Sequence, residues 1–325
     1  MIKVTEHALS YLCHSYGIKE EGLSFLGGGR GDSDGITYLY LHKGQRKVLK
    51  ILAYDSPGTG DLAALDDRLK FIHYLGENDI EIARPEENKN HSLYETYEDG
   101  THIFVAYSMK YYQGKSPSSK ELLTDLSWHW GKLTGKTHRV TKNYPVWKNL
   151  SSKNSVYGYQ DEVVFFTDWC KDETVKNEWR KMLLTLSNFP INRNTYGFIH
   201  NDNHQNNIIA DNKSITLIDF DVSSCNFILQ DITTPVQGIM FDLSGGMINE
   251  VYDKEPLKYF FDHFLNGYET ENHIDSFWLE RIDTFIQYRR LLLFTCMQDY
   301  FQHNIKKKER FLSIIEAGPG VYNLL

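Results

Sequence analysis

The sequence predicts an α+β chain of two lobes: a small N-terminal lobe built on an antiparallel sheet, then a larger, mainly helical C-terminal lobe. Three observations predict it. At 325 residues the chain exceeds the size at which a single hydrophobic core keeps growing. Its first third alternates short strand-forming runs with turn residues. After about Ser108 the texture changes to long helical patterns broken by two short apolar runs. We therefore expect an N-terminal lobe over residues 1–107, a C-terminal lobe over 108–325 and a connector at about 107–114.

Residues 1–18 read as a helix. "GLSFL", "ITYLYL" and "RKVLKIL" follow as strands rich in β-branched, aromatic and leucine residues, joined by "GGGRGDSDG" and "HKGQ". A helix is expected in "DLAALDDRLKFIHYLGEN", where Leu65, Leu69, Ile72 and Leu75 recur at helical spacing. Strands are then expected in "EIARP", "SLYETYEDG" and "THIFVAYSM". Long helical patterns occupy 119–139, 158–188 and 255–304.

Composition narrows the function. The formal charge of -8 and pI near 5.9 argue against broad nucleic-acid binding, which needs a basic surface. The run Lys306, Lys307, Lys308 reads as a solvated helix face. Four scattered cysteines without a C-x-x-C pair, and no charged leader with an apolar core, point to a reducing cytoplasm. No window approaches the 18 or so apolar residues of a membrane span, so no membrane partner is expected. Oligomeric state is left open.

The chemistry concentrates in "HNDNHQNN", residues 200–207. His200, Asp202 and Asn207 fit H-x-D-x-x-x-x-N, the spacing of a kinase catalytic loop: the aspartate receives a hydroxyl proton and the asparagine holds magnesium. His200 braces the loop. "NIIA", a turn and "ITLIDFD" then bring Asp219 to the end of a hairpin, with Asp221 two residues on. Asn207, Asp219 and Asp221 offer the hard oxygen donors that magnesium takes alongside nucleotide phosphates. Upstream, Gly27, Gly28, Gly29, Gly31 and Gly35 lie between two strands, where missing side chains let backbone N–H groups approach phosphates. Lys50, in "VLKIL", occupies the strand from which a kinase lysine meets the α- and β-phosphates. The order of glycine loop, strand lysine, catalytic loop and D-F-x predicts binding of ATP and Mg2+.

With these motifs in this order, the chain resembles the aminoglycoside phosphotransferase and choline kinase superfamily, protein-kinase-like enzymes that phosphorylate small molecules. That family carries H-G-D-x-H-x-x-N followed by I-D-F-D, and His200, Asp202, His204, Asn207, Asp219 and Asp221 match. Asp231 in "ILQDI" fits the later aspartate, and the C-terminal stretch resembles the family's helical ending. The resemblance implies a bilobal protein-kinase-like fold and ATP- and Mg-dependent transfer of the γ-phosphate to a hydroxyl of a small molecule. An aminoglycoside, amino alcohol, amino sugar or similar metabolite would serve as acceptor. Two positions depart from the pattern: Asn201 stands for the usual glycine and Asn203 for the usual leucine. The helix carboxylate expected to pair with Lys50 falls near Arg68, and Asp67 is the candidate.

Only a dozen residues separate Asp219 from Asp231, too few for the activation loop and A-P-E segment of a protein kinase. A small-molecule acceptor is therefore preferred. The alternatives are a bacterial stress-type protein Ser/Thr kinase, or a catalytically silent nucleotide-binding regulator suggested by the doubtful partner of Lys50. Glu250, Tyr252, Asp253, Asp262, Tyr268, Glu269 and Trp278 could suit a cationic amine through charge and cation–π contacts. "GKLTGKT", residues 131–137, has one residue too few for a Walker A loop and lies in a helical pattern, so it is discounted. His129 and His138 read as helix-packing residues.

Overall fold

The computed structural model describes residues 4–28, 35–55, 59–145, 158–211, 214–249 and 252–324. Gly29 and Gly31 of the expected phosphate loop, and Glu250, lie outside them. The chain divides into two compact units, Met1–Gln113 and Gly114–Leu325.

The first unit comprises α1 (Glu6–Tyr16), β1 (Ser24–Gly28), β2 (Ile36–His42), β3 (Gln45–Asp55), α2 (Thr59–Glu77), β4 (Pro85–Glu86), β5 (Glu95–Glu98) and β6 (His102–Lys110). Its antiparallel sheet runs β1-β2-β3-β6-β4, with β5 also paired to β6. Of "EIARP" only Pro85 enters a strand of the sheet, the two-residue β4 that it forms with Glu86. This fits its proline, which has no N–H to give a ladder. Thr5 caps α1 by accepting from the Ala8 N–H, and Gly17 ends it in the left-handed region. Alternation along β3 sorts its side chains: Leu49 and Ile51 enter a core with Ala8, Leu12, Tyr16, Tyr40, Phe104 and Ala106. Lys50 therefore points to the opposite face.

The second unit holds α3 (Ser119–Leu122), α4 (Leu126–Thr141), α5 (Tyr159–Trp169), α6 (Glu173–Ser187), β7 (Tyr196–Ile199), β8 (Ile208–Asp211), β9 (Ser214–Leu217), β10 (Ser224–Phe227), α7 (Leu229–Ser244), α8 (Lys254–Glu269), α9 (Ser276–Leu279), α10 (Ile282–Cys296), α11 (Gln298–Gln302) and α12 (Ile305–Ala317). The 158–188 pattern is two helices, because the chain turns extended at Cys170 and Asp172 then caps α6. The 255–304 pattern is four. Two antiparallel pairs, β8–β9 and β7–β10, flank the "HNDNHQNN" stretch.

Glycines set the spacing of α4 and α8. A Cβ on Gly131 would meet the Phe264 carbonyl oxygen at 1.8 Å, and one on Gly267 would meet that of Trp128 at 2.0 Å. The glycines of "GKLTGKT" thus let two backbones touch. Tyr268 and Trp278 are buried core residues, and Asp253 caps α8 by accepting from Glu255 N–H. Asp262 faces Lys258 at 3.4 Å, and Glu269 accepts from Ile274 N–H at 2.9 Å. Of the residues expected to suit a cationic amine, Tyr268 and Trp278 are therefore core residues, whereas Asp253, Asp262 and Glu269 are exposed and make local caps and pairs. Among the described residues, no helix is long and apolar enough to cross a membrane.

Candidate active site

In the first unit, Gly28 closes β1 at φ +91, and a Cβ there would meet the Gly35 carbonyl oxygen at 1.8 Å. Only glycine suits that position, for reasons of both backbone angle and space. Gly35 immediately precedes β2, and a Cβ there would lie 3.1 Å from Lys50 Cε. Lys50 pairs in register with Thr37 on β2 and Tyr107 on β6, so the sheet fixes its root from both sides. Asp67 sits on α2. Burial, then Asp66, push its carboxyl above the usual range, while Lys70 and Arg68 pull it back.

In the second unit the catalytic-loop candidates converge. Asn207 donates from Nδ2 to the Asp202 backbone oxygen at 2.9 Å and to Oδ2 at 3.0 Å. His204 Nδ1 accepts from the Asn206 N–H, which leaves the proton on Nε2, and Nε2 lies 3.3 Å from Asp202 Oδ2. The other carboxylate oxygen, Oδ1, accepts from Arg289 Nη2 at 2.6 Å. Burial alone would raise the Asp202 carboxyl. Arg289 and His204 outweigh it and hold the group well below the usual range.

His200 is buried, accepts the Asp202 N–H at Nδ1 and donates from Nε2 to the Ile218 carbonyl at 2.9 Å. It ties the loop to the strand that leads to Asp219 and does not point at a reacting group. The buried Phe220 packs on its ring at 4.2 Å. Ile218 N–H donates to the Asn207 carbonyl, a second tie between loop and strand. Asp219 follows two residues after β9 with φ +61, exposed, and Asp221 is half-buried in the next turn.

Asp231 is buried at the start of α7. It is 1 % exposed, and its two oxygens accept the backbone N–H groups of His200 at 2.9 Å and Asn201 at 2.7 Å. His138 completes it: Nε2 lies 3.2 Å from Asp231 Oδ2, and Nδ1 faces the Tyr268 hydroxyl, itself taking a hydrogen bond from Asn272.

Both departures from the expected loop pattern have physical reasons. Asn201 has φ +66, a left-handed conformation that asparagine, after glycine, tolerates best. Its amide donates to buried Glu162 at 2.6 Å. Asn203 answers a defect in α7. Pro235 has no N–H, so the Asp231 carbonyl four residues earlier lacks its helical donor. Asn203 Nδ2 supplies one at 3.0 Å, while its Oδ1 accepts from the Trp130 indole at 2.9 Å.

The sequence reading missed Arg289 and Glu162. Glu162, on α5, accepts from Asn201 and from the Tyr288 hydroxyl; burial pushes its carboxyl up. Both residues come from long helices far from the motif in sequence, and charged residues in such helices read as surface. The only available signal was an arginine pair inside an apolar run, "YRRLLLF".

Residues 29–255 match the phosphotransferase enzyme family, which is more than two thirds of the chain. The chain belongs to that family. As a member it is a phosphotransferase. It is 24% identical over 306 residues to the amicoumacin kinase of Bacillus subtilis strain 168, covering 92% of this chain and 86% of that protein. Among solved structures, an amicoumacin kinase in complex with AMP-PNP, Ca2+ and Ami superposes with a TM-score of 0.81 at 21% identity, over 95% of this chain and 92% of the other. A microcompartment-associated aminopropanol kinase gives 0.70 at 14% identity, over 94% and 95%. These likenesses establish the protein-kinase-like fold, and the family's named relatives act on small molecules.

Proposed function

We propose that this phosphotransferase is an ATP- and Mg2+-dependent kinase that moves the γ-phosphoryl group to a hydroxyl of a small molecule. The observation that carries the reading is the Asp202 carboxylate, ionised, 28% exposed and steered by Asn207, His204 and Arg289. A carboxylate so acidic is a weak base. Its work is to orient the acceptor hydroxyl in line and to take the proton late. This suits a loose transition state, in which positioning and charge neutralisation supply most of the rate gain.

Among the described residues, no three His, Cys, Asp or Glu side chains gather as a metal cluster. The donor chemistry nonetheless fits magnesium, which prefers one or two carboxylates with phosphate oxygens. Asn207 donates its Nδ2 to Asp202, which leaves its amide oxygen as an acceptor, and Asp219 is an exposed carboxylate beyond the same end of the β8–β9 pair. Asn207 and Asp219 would hold the ion, with Asp221 as a further candidate. When bound, the ion neutralises charge on the phosphates. Lys50 and the backbone of Gly27, Gly28, Gly29 and Gly31 would meet the nucleotide, with Asp67 as the candidate partner of Lys50. That partner is tested by the KM for ATP, which should rise in both Asp67→Asn and Lys50→Ala; an unchanged KM in Asp67→Asn removes Asp67 from the clamp.

The acceptor is tested by ADP release with ATP and Mg2+ against amicoumacin, aminopropanol, choline, homoserine, aminoglycosides and macrolides. Acceptor-dependent release is expected with one class. Phosphorylation of a protein but of no small molecule would favour the protein-kinase alternative. ATP-dependent thermal stabilisation without turnover would favour a silent regulator.

A further inference from the structure

An ionised carboxylate offers about four lone-pair directions, two on each oxygen. At Asp202, Oδ2 takes Asn207 Nδ2 at 3.0 Å and His204 Nε2 at 3.3 Å, which uses both of its directions. Oδ1 takes only Arg289 Nη2, at 2.6 Å, among the described residues. The direction left for an incoming hydroxyl is on Oδ1, the oxygen that the guanidinium grips.

Arg289 is itself held. It lies in α10 with its side chain 9% exposed, and its neighbour Tyr288 donates to Glu162, which binds the loop residue Asn201. The helix therefore grips the catalytic loop on both sides of the backbone step between Asn201 and Asp202. A long arginine pinned in this way has little rotamer freedom to lose when substrate binds.

We infer that Arg289 is a positioning residue of the phosphoryl-transfer site: it fixes Asp202 so that the acceptor hydroxyl is received at Oδ1, alongside the guanidinium. The inference rests on the kinase reading above. It also explains why α10, remote in sequence from every motif, presents a charge to the loop. A planar guanidinium sets the carboxylate plane as well as its charge, which an ammonium does less well.

The test compares Arg289→Met, Arg289→Ala and Arg289→Lys with the parent and Asp202→Ala, reading ADP release with amicoumacin, with aminopropanol and with water alone, and AMP-PNP affinity by titration. Arg289→Met is expected to lower kcat by about 10- to 100-fold, the order expected for misplacing a catalytic group. AMP-PNP affinity and the KM for ATP should stay within about twofold of the parent. Arg289→Lys should recover part of the rate, and added methylguanidinium should partly rescue Arg289→Ala. A kcat equal to the parent in Arg289→Met overturns the inference. So does a loss that tracks AMP-PNP affinity and is recovered neither by lysine nor by methylguanidinium, because that is the signature of general structural damage. Turnover retained in Asp202→Ala overturns the kinase reading itself, which separates the two failures.

Discussion

Asp202 accepts hydrogen bonds from three side chains and still faces solvent, whereas Asp231 accepts two backbone N–H groups and faces none. The same residue type thus serves two ends, one left open to solvent, where our proposal has it meet the acceptor, and one locking the loop that carries the first. Asn201 and Asn203 show how a departure from a family pattern is absorbed. Asn201→Ala should destabilise the protein more than Asn201→Gly, by about 1–2 kcal/mol, because alanine adds the cost of a left-handed backbone to the lost bond with Glu162. Denaturant midpoints check this. Asn203→Leu, which restores the family's usual residue, should nevertheless cost roughly 1–3 kcal/mol, because it orphans the Trp130 indole N–H and the Asp231 carbonyl. A mutant as stable as the parent would show that leucine repacks the site. Asp219→Ala should weaken Mg2+-dependent AMP-PNP binding while leaving the fold intact, which titration with and without the ion measures.

At the scale of elements, the loop is held by α7 through Asp231, by Ile218 just after β9, and by α10 through Arg289, with further ties to Glu162 on α5 and Trp130 on α4. For the first two, the residues but not their bonds to the loop were legible, because Asp231 and "ITLIDFD" lie close to the motif and in family order. The third was not, since a contact across 87 residues leaves no periodic trace in a single sequence. Strand-forming composition placed Lys50 on a strand of the sheet, but helical periodicity ran α5 into α6 and merged α8 to α11, because it sees apolar spacing and not the capping residues that restart a helix. The α4–α8 seam shows a further limit: "GKLTGKT" resembles a phosphate loop, yet its glycines meet a helix backbone. Gly267→Ala would drive a Cβ into the Trp128 carbonyl at 2.0 Å, and a loss of about 1–3 kcal/mol is expected from such overpacking. A melting temperature unchanged from the parent would contradict that packing.

For the whole molecule, the order of glycine loop, strand lysine, catalytic loop and D-F-x carried the family from sequence alone, because phosphoryl transfer fixes residue types at short spacings. The acceptor was not legible. Of the side chains that suggested a cationic amine, Tyr268 and Trp278 are core residues and the exposed acids make local caps and pairs, so none of them singles out an acceptor. The central claim is that Asp202 positions a small-molecule hydroxyl for transfer from ATP. The most direct measurement is mass spectrometry of amicoumacin, aminopropanol and the other acceptors after incubation with ATP and Mg2+, for the parent and Asp202→Ala, with AMP-PNP affinity measured alongside. The account predicts that one acceptor gains a single phosphoryl group with the parent and none with the variant, while both bind AMP-PNP alike. Equal phosphorylation by the variant would contradict it.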